Sequence, residues 1–247
     1  MSADYGVWCR DFYVNQKLAL KMDLPAGREP VLELFDRLRR QEPRLKHFHR
    51  YEQELVLESD EDDRTYTWVT MRQTSLRSGV VNPASLQEAY RLHRGVLELA
   101  PFYISISPLD VEHLELVFCF DFEAHGNRDE IIWDALLAES PLAALVDPQR
   151  ERPIDVQPFV GFSLTPGGEL QAFFEVKSRS RTGEPGGGRG ADEPISVYLT
   201  VRRQGPLGSP AEMLAAFGGL AGHAERLAEE RVIPHIVKPI HDAITAR

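Results

Sequence analysis

The feature of this chain that most limits its possible folds is an internal similarity between two distant segments. Residues 18–43 align without a gap with residues 116–141. Identical pairs in the alignment are Leu18/Leu116, Asp23/Asp121, Ala26/Ala124, Asp36/Asp134, Leu38/Leu136 and Pro43/Pro141. Other positions keep their apolar character, so a strand, a turn and a helix share one hydrophobic phase in both segments. The similarity predicts a duplicated structural unit, with chance likeness between two strand–helix units as the alternative.

Apolar periodicity predicts the elements that surround the first unit. Alternation over residues 12–24 predicts a strand, and a helical stripe that begins at Pro30 predicts a helix. Strands over residues 51–58 and 65–75 follow, and then a helix that Asn82 would cap. The first unit therefore has the order β-α-β-β-α.

The second unit has the same order with one more strand. The unit begins with a strand over residues 102–107 or residues 113–122, and a helix that Asn127 would cap follows. Strands over residues 156–165 and 169–181 form a hairpin across a Pro-Gly-Gly turn, and residues 195–202 return as a strand. The order is β-α-β-β-β-α.

These orders predict an α+β fold with two β-α-β-β-type pseudo-repeats, antiparallel sheet or sheets, and helices on one face. We place the first unit at residues 1–100 and the second at residues 101–247, fused into one globular domain. The tail over residues 209–247 is predicted to be a long helical segment that breaks or kinks at Pro234 and Pro239.

Composition restricts the classes of function. The formal net charge of −10 disfavours broad binding of nucleic acid, because most of the surface would repel phosphates. Cys9 and Cys119 are too few and too isolated for a disulfide framework or a zinc site. We find no signal peptide and no apolar run long enough to span a bilayer. We therefore expect a cytoplasmic protein without a membrane partner.

Motifs of catalysis are missing from the sequence, which has no GxSxG, HExxH, Walker or paired CxxC pattern. A GGGRG run at residues 186–190 lacks the Lys-Ser/Thr of a phosphate loop and lies between two strands. We interpret residues 182–194 as a flexible loop that could order on a partner.

Two polar clusters are weighed as sites and set aside. His47 and His49 would lie on one side of a strand, but Lys46 and Arg50 beside them would repel a metal ion. The aspartates of the aligned segments fall at strand ends and on helix surfaces, where aspartate is common. We expect no metal, no cofactor and no catalytic residue, so the sequence favours a protein that is not an enzyme.

The most informative polar feature is a group of basic residues in an otherwise acidic chain. They share one strand, its neighbour and the loop between them: Lys177, Arg179, Arg181, Arg189, Arg202 and Arg203. Such a stripe suits a protein partner, phosphate or single-stranded nucleic acid. The alternative is a solvated sheet edge whose charges prevent aggregation.

Several stretches resemble a sporadically distributed family of uncharacterised bacterial proteins. They are the strand–helix opening, RSGVVNP at residues 77–83, APFYISISPLDVEHLELVF at residues 100–118 and RVIPHIVKPIHDAI at residues 231–244. The resemblance covers most of the chain and carries no catalytic motif. It implies no activity and no site residues.

The expected function is that of a noncatalytic cytoplasmic interaction or assembly protein, which binds a protein partner or itself through sheet edges or terminal helices. One alternative is a small apolar ligand held between the sheet and the terminal helix. Residues suited to line that space are Met22, Trp68, Met71, Phe162, Phe173 and Met213. The other alternative is phosphate or nucleic-acid binding through the basic strand.

Overall fold

The computed structural model describes residues 5–25, 27–61, 63–147, 149–178 and 194–247. The strands are β1 Asp11–Leu20, β2 His47–Tyr51, β3 Glu54–Glu58, β4 Thr67–Arg72, β5 Ser75–Val81, β6 Val111–Phe122, β7 Phe159–Ser163, β8 Leu170–Lys177 and β9 Ile195–Gln204. The helices are α1 Arg28–Gln41, α2 Leu86–Tyr103, α3 Arg128–Leu136, α4 Pro210–Leu227, a π-helical segment Ala228–Val237 and α5 Lys238–Thr245.

These nine strands form one antiparallel sheet in the order β2-β3-β4-β5-β1-β6-β9-β8-β7. The first strand of each half, β1 or β6, lies at the centre and pairs with the last strand of its own half. Each half therefore runs strand, helix, meander, helix. The predicted α+β fold with an antiparallel sheet and a long C-terminal helical segment is confirmed.

Strand alternation decides which face of the sheet the helices cover. In β1, Phe12, Val14 and Leu18 are buried in the hydrophobic core, and Gln16 is buried on the same face, whereas Tyr13, Asn15 and Lys17 are partly exposed. Fully buried Phe118 and Phe120 lie on the neighbouring strand β6 within the same core. Because side chains alternate along a strand, the core lies on one face of the sheet. In the described part of the chain, the other face carries no helix.

Two capping boxes begin the long helices of the two halves. The Ser85 side chain accepts a hydrogen bond from the backbone N–H of Glu88, and the Glu88 carboxylate accepts one from Ala84 N. Ser209 and Glu212 repeat this arrangement at α4, with Gly208 N as the second donor. Each box satisfies one N–H group of the first helical turn and one of the residue that precedes the N-cap.

Asn127 caps α3 as predicted, since its Oδ1 accepts from the backbone N–H groups of Asp129 and Glu130. Asn82 was expected to cap α2, and that prediction is wrong. Asn82 lies in the left-handed region at φ 49° and binds the first strand instead. Its Oδ1 accepts from Phe12 N at 2.9 Å, and its Nδ2 donates to Asp11 Oδ1 at 2.7 Å.

The first half contains five strands where the sequence predicted three. The strand predicted over residues 65–75 ends at Arg72, and after a turn at Gln73 and Thr74 the strand β5 begins at Ser75 and runs beyond the predicted range. A second short turn at Glu52 and Gln53 joins β2 to β3. Neither turn contains the glycine or asparagine that marks a tight hairpin in a sequence.

The helix type changes where the C-terminal segment was predicted to break. Pro234 lies inside the π-helical segment, and Pro239 lies in the first turn of α5. Proline lacks the N–H that continues an α-helical ladder, so a wider turn lets the chain pass without a sharp break. In the part of the chain that the structure describes, every helix is too short or too polar to cross a membrane.

Candidate binding surface on the helix-free face

Half of the side chains of the central strands point away from the helices. On β1 these are Asp11, Tyr13, Asn15 and Lys17, which are partly exposed. Register places Val81 opposite Tyr13 and Gly79 opposite Asn15 on β5, and Trp68 opposite Gly79 on β4. The helix-free face therefore carries aromatic, amide and charged groups side by side.

A cleft of about 270 Å³ opens on this face across strands β1, β3, β4 and β5. Its lining residues are Asp11, Tyr13, Asn15, Val56, Glu58, Tyr66, Trp68 and Val81. Three of them are aromatic and two are carboxylates. This combination of apolar walls with a few polar groups is typical of a small-molecule site.

Gly79 allows the aromatic floor of the cleft to lie against the sheet. A Cβ at position 79 would come within 2.3 Å of Trp68 Cε2 and 2.5 Å of Asn15 Oδ1. The Trp68 indole therefore occupies the space that any other residue at this position would need. Glycine is the residue that lets a ring approach a strand so closely.

The acidic groups of the cleft have partners that orient them. The Tyr66 hydroxyl donates to the carboxylate of buried Glu58, and His49 Nε2 lies 3.4 Å from the same carboxylate. Asp11 accepts from Asn82 and lies 3.7 Å from the Arg10 guanidinium. These contacts hold both carboxylates in place before any ligand arrives.

The phenols of the cleft remain uncharged. Burial raises the pKa of Tyr13, and the nearby carboxylate of Asp121 raises it further. Burial also raises the pKa of Tyr66, together with its hydrogen bond to Glu58. Both hydroxyls therefore stay protonated at neutral pH, and the rings present neutral aromatic faces to the cleft.

Asn15 is the polar group of the cleft whose hydrogen bonding is incomplete. Its Oδ1 is buried and has no hydrogen-bond partner among the residues that the structure describes. A buried acceptor left without a donor costs about 1–3 kcal/mol. A ligand that donates a hydrogen bond to this oxygen would recover that cost.

A row of charged residues crosses the sheet next to the cleft, about 7 Å farther along β1 from Asn15. Glu115 on β6 accepts from Arg202 at 2.5 and 2.6 Å and faces Lys17 in register. Arg77 lies opposite Lys17 on β5. Burial lowers the pKa of the Arg77 guanidinium, and Glu115 partly offsets this effect. Within the described ranges, neither Arg77 nor Lys17 has an ion pair.

The structure describes three of the six basic residues that the sequence grouped together. Lys177 and Arg202 lie on the helix-free face, but Arg203 points to the other face of β9. Lys177 pairs with Glu175 at 3.0 Å and lies over the Tyr198 ring, while Arg202 pairs with Glu115. Arg179, Arg181 and Arg189 lie outside the described residues, as does the loop predicted over residues 182–194 apart from Pro194.

The residues proposed to line an apolar pocket do not surround one space. Trp68 borders the cleft, on the side of the sheet opposite the terminal helix. Met71 and Met213 are buried in the core between sheet and helices, and Met22 is 69% exposed. The core therefore fills the space where an apolar ligand was expected.

The histidine pair and the repeated aspartates have ordinary neighbours. His47 Nε2 lies 2.5 Å from Asp60, and the rings of His47 and His49 stack. Among the described residues, no group of three or more His, Cys, Asp or Glu could hold a metal ion. Asp121 pairs in register with Asp11, whereas Asp23 accepts from Gln73 at the other end of β1.

Sequence reasoning missed a buried polar group beneath α2. His93 is fully buried, its Nδ1 lies 2.7 Å from Ser78 Oγ, and its Nε2 lies 3.2 Å from Val14 O. Ser78 Oγ also lies 2.9 Å from the Gln16 side chain. Burial lowers the pKa of His93 to about 3. Because the group faces the core, it joins helix to sheet and has no access to a ligand.

Comparison with known proteins gives little information on function. No protein-family model matches the chain, and no curated protein matches it. The chain is similar to the crystal structure of the di-domain ARO/CYC BexL from the BE-7585A biosynthetic pathway, at 11% identity over 95% of this chain and 99% of that chain. The TM-score is 0.23, so this similarity carries no argument about either fold or function.

Proposed function

We propose that the protein is a noncatalytic binding protein that holds a small ligand in the cleft on the helix-free face of its sheet. The observation that carries the proposal is the position of Trp68 over Gly79, beside Asn15 Oδ1, which has no hydrogen-bond partner among the described residues. A preformed cavity with an aromatic wall and an unsatisfied buried acceptor is a feature of binding sites.

A binding role is supported over an acid–base role by the state of the polar groups. The carboxylates of Asp11 and Glu58 already accept hydrogen bonds from Asn82 and Tyr66. The phenols have raised pKa values and so do not exchange protons near neutral pH. We also infer a cytoplasmic location, because two isolated cysteines are too few for the disulfide framework of a secreted protein.

The test uses the indole N–H signals of the three tryptophans in NMR spectra of the full-length ¹⁵N-labelled protein. A panel of small amines, carboxylates, sugars and neutral alcohols is titrated, and native mass spectrometry examines freshly purified protein. We expect at least one compound to shift the Trp68 signal, and native mass spectrometry to show weaker binding of that compound to Trp68→Leu than to the wild type. The matched control Trp133→Leu should bind it as the wild type does. A Trp68 signal that no compound moves, with no retained ligand, would contradict the proposal.

Association through the edge strand β7 is a second candidate function, since a specific observation favours it. In the described part of the chain β7 pairs with β8 alone. Phe159 is 60% exposed and Val160 is 57% exposed. The strand, FVGFS, has none of the charges that prevent edge pairing. The opposite edge, β2, contains two histidines and an arginine. A second copy or a protein strand could therefore extend the sheet at β7.

Light scattering at increasing protein concentration tests this second candidate. If β7 mediates self-association, Val160→Lys shifts the protein toward the monomer. Val7→Lys, a matched change at a valine that is 64% exposed outside the sheet, leaves the mass unchanged. A wild-type protein that stays monomeric at high concentration would end the self-association proposal.

A further inference from the structure

The charged residues that line the cleft are acidic. Among the described residues, the lining includes Asp11 and Glu58 and no lysine, arginine or histidine. Basic side chains that approach these carboxylates from outside are His49, at 3.4 Å from Glu58, and Arg10, at 3.7 Å from Asp11. The Arg10 side chain is 62% exposed, so solvent weakens its effect on the cleft. A positive ligand would meet an attractive wall, and a negative ligand a repulsive one.

The aromatic residues that line the cleft also favour a positively charged ligand. The rings of Tyr13, Tyr66 and Trp68 border the cleft, and the face of an aromatic ring attracts a positive charge. Tryptophan is the ring that does so most strongly. The raised pKa values of the two tyrosines keep their rings neutral, so neither adds a phenolate charge.

The hydrogen-bonding groups of the cleft further restrict the chemical class of the ligand. Asn15 Oδ1 is an acceptor without a donor in the described part of the chain, and the carboxylates are acceptors too. These groups need N–H donors, which a quaternary ammonium ion does not have. The volume of about 270 Å³ suits a small molecule.

We propose that this cleft binds a small organic cation with N–H donors, namely a protonated alkylamine. The inference rests on the proposed function, because it names the ligand class of the same cleft. The ammonium group lies against the Trp68 face, donates to Asn15 Oδ1 and is neutralised by Glu58. The alkyl part lies against Val56 and Val81.

The first experiment titrates the full-length protein at constant ionic strength with n-butylammonium, tetramethylammonium, 1-butanol and butyrate, following the Trp68 indole signal. We expect n-butylammonium to bind at least about tenfold more tightly than 1-butanol, because hydrogen bonds to charged groups are the stronger ones. Tetramethylammonium should bind more weakly than n-butylammonium. Equal or tighter binding of 1-butanol or butyrate overturns the inference and leaves the proposed function standing. If none of the four probes shifts the Trp68 signal, the inference is also overturned. The proposed function is then decided by the broader panel of compounds.

The second experiment asks whether Glu58 supplies the charge. Glu58→Gln keeps the shape of the side chain, and we expect it to lower the affinity for n-butylammonium about tenfold or more without changing that for 1-butanol. Glu175 lies on β8, on the helix-free face of the sheet but outside the cleft. Glu175→Gln should therefore leave the affinity for n-butylammonium unchanged. An equal loss in both variants, or no loss in either, overturns the inference. If Glu58→Gln does not fold, Asp11→Asn takes its place with the same expected result.

Discussion

At the scale of single residues, the cleft exists because one position carries no side chain. Gly79 lies in the middle of β5, where glycine weakens a strand because it has no side chain to pack. The Trp68 ring occupies the vacant space and forms the floor of the cleft. The missing side chain at position 79 therefore weakens the strand locally and also determines the shape of the binding surface.

Gly79→Ala should displace Trp68. The new Cβ would lie 2.3 Å from Trp68 Cε2, so the ring or the strand must shift, at a cost of about 1–3 kcal/mol in stability. We expect the Trp68 indole signal to move and ligand binding to weaken, with the Trp8 and Trp133 signals unchanged. Gly219→Ala in α4 is the control, since nothing lies within 4 Å of its Cβ. An unmoved Trp68 signal in Gly79→Ala would refute this account of the floor.

Asn82 shows how one residue positions part of the cleft from outside it. Its left-handed backbone costs an ordinary residue about 1–2 kcal/mol, and its side chain binds Phe12 N and Asp11. We expect Asn82→Ala to be less stable in urea unfolding than Asn82→Gly by about 1 kcal/mol, because glycine tolerates this conformation. Both variants should be less stable than the wild type. Equal stability of the two variants would show that the backbone conformation relaxes at no cost.

At the scale of elements, the strands and helices follow from local patterns that can be read in the sequence, with failures at the turns. Alternation predicted β1, and the Pro-Gly-Gly turn predicted the β7–β8 hairpin, because both signals are local. The turn at Gln73 and Thr74 was not predicted, because pairing of the neighbouring strands, and not the residue types in the turn, stabilises it. Ser85 and Glu88 carried a readable capping box, but Asn82 nearby had been interpreted as the cap.

The capping boxes should contribute equally to the two long helices. Ser85→Ala and Ser209→Ala each remove one acceptor for the first turn, and each should cost about 1 kcal/mol in the free energy of unfolding. The two costs should add in the double variant, because the caps share no partner. Ser85→Thr retains a hydroxyl and serves as the control. A loss of more than about 3 kcal/mol in one variant alone would show a role beyond capping.

At the scale of the whole molecule, one sheet and one layer of helices meet through a largely apolar core that contains a few polar side chains. His93 on α2 contacts Val14 O on β1 and Ser78 on β5. Its neutral Nε2–H donates to Val14 O, which leaves Nδ1 unprotonated beside the Ser78 hydroxyl. A proton added at Nδ1 would break this arrangement inside the core, which makes global stability dependent on pH.

The sign of that dependence follows from the lowered pKa of His93. Its ordinary value is 6.5, and burial lowers it to about 3 in the folded protein. The unfolded chain therefore binds a proton more readily, so stability is retained above pH 6.5 and lost as the pH falls from 6.5 toward 3. This histidine alone contributes a slope of up to about 1.4 kcal/mol per pH unit.

Urea unfolding between pH 7 and pH 4 measures this slope. We expect His93→Gln to be less stable than the wild type at pH 7, and the difference to become smaller at pH 4. His235→Gln, at an exposed position near the end of the chain, should keep the wild-type slope. Parallel curves for the wild type and His93→Gln would show that His93 does not titrate on unfolding.

The alternation of strands, the amphipathic stripes of the helices and hence an α+β fold can be predicted from the sequence, because they depend on residues close together in the chain. Which polar residues meet depends on the folded arrangement of the strands. Trp68, Asn15 and Glu58 come from three strands, and they share a face only through the register of β3, β4, β5 and β1. Register depends on cooperative packing of the opposite, buried face, so it cannot be predicted from residues close together in the chain.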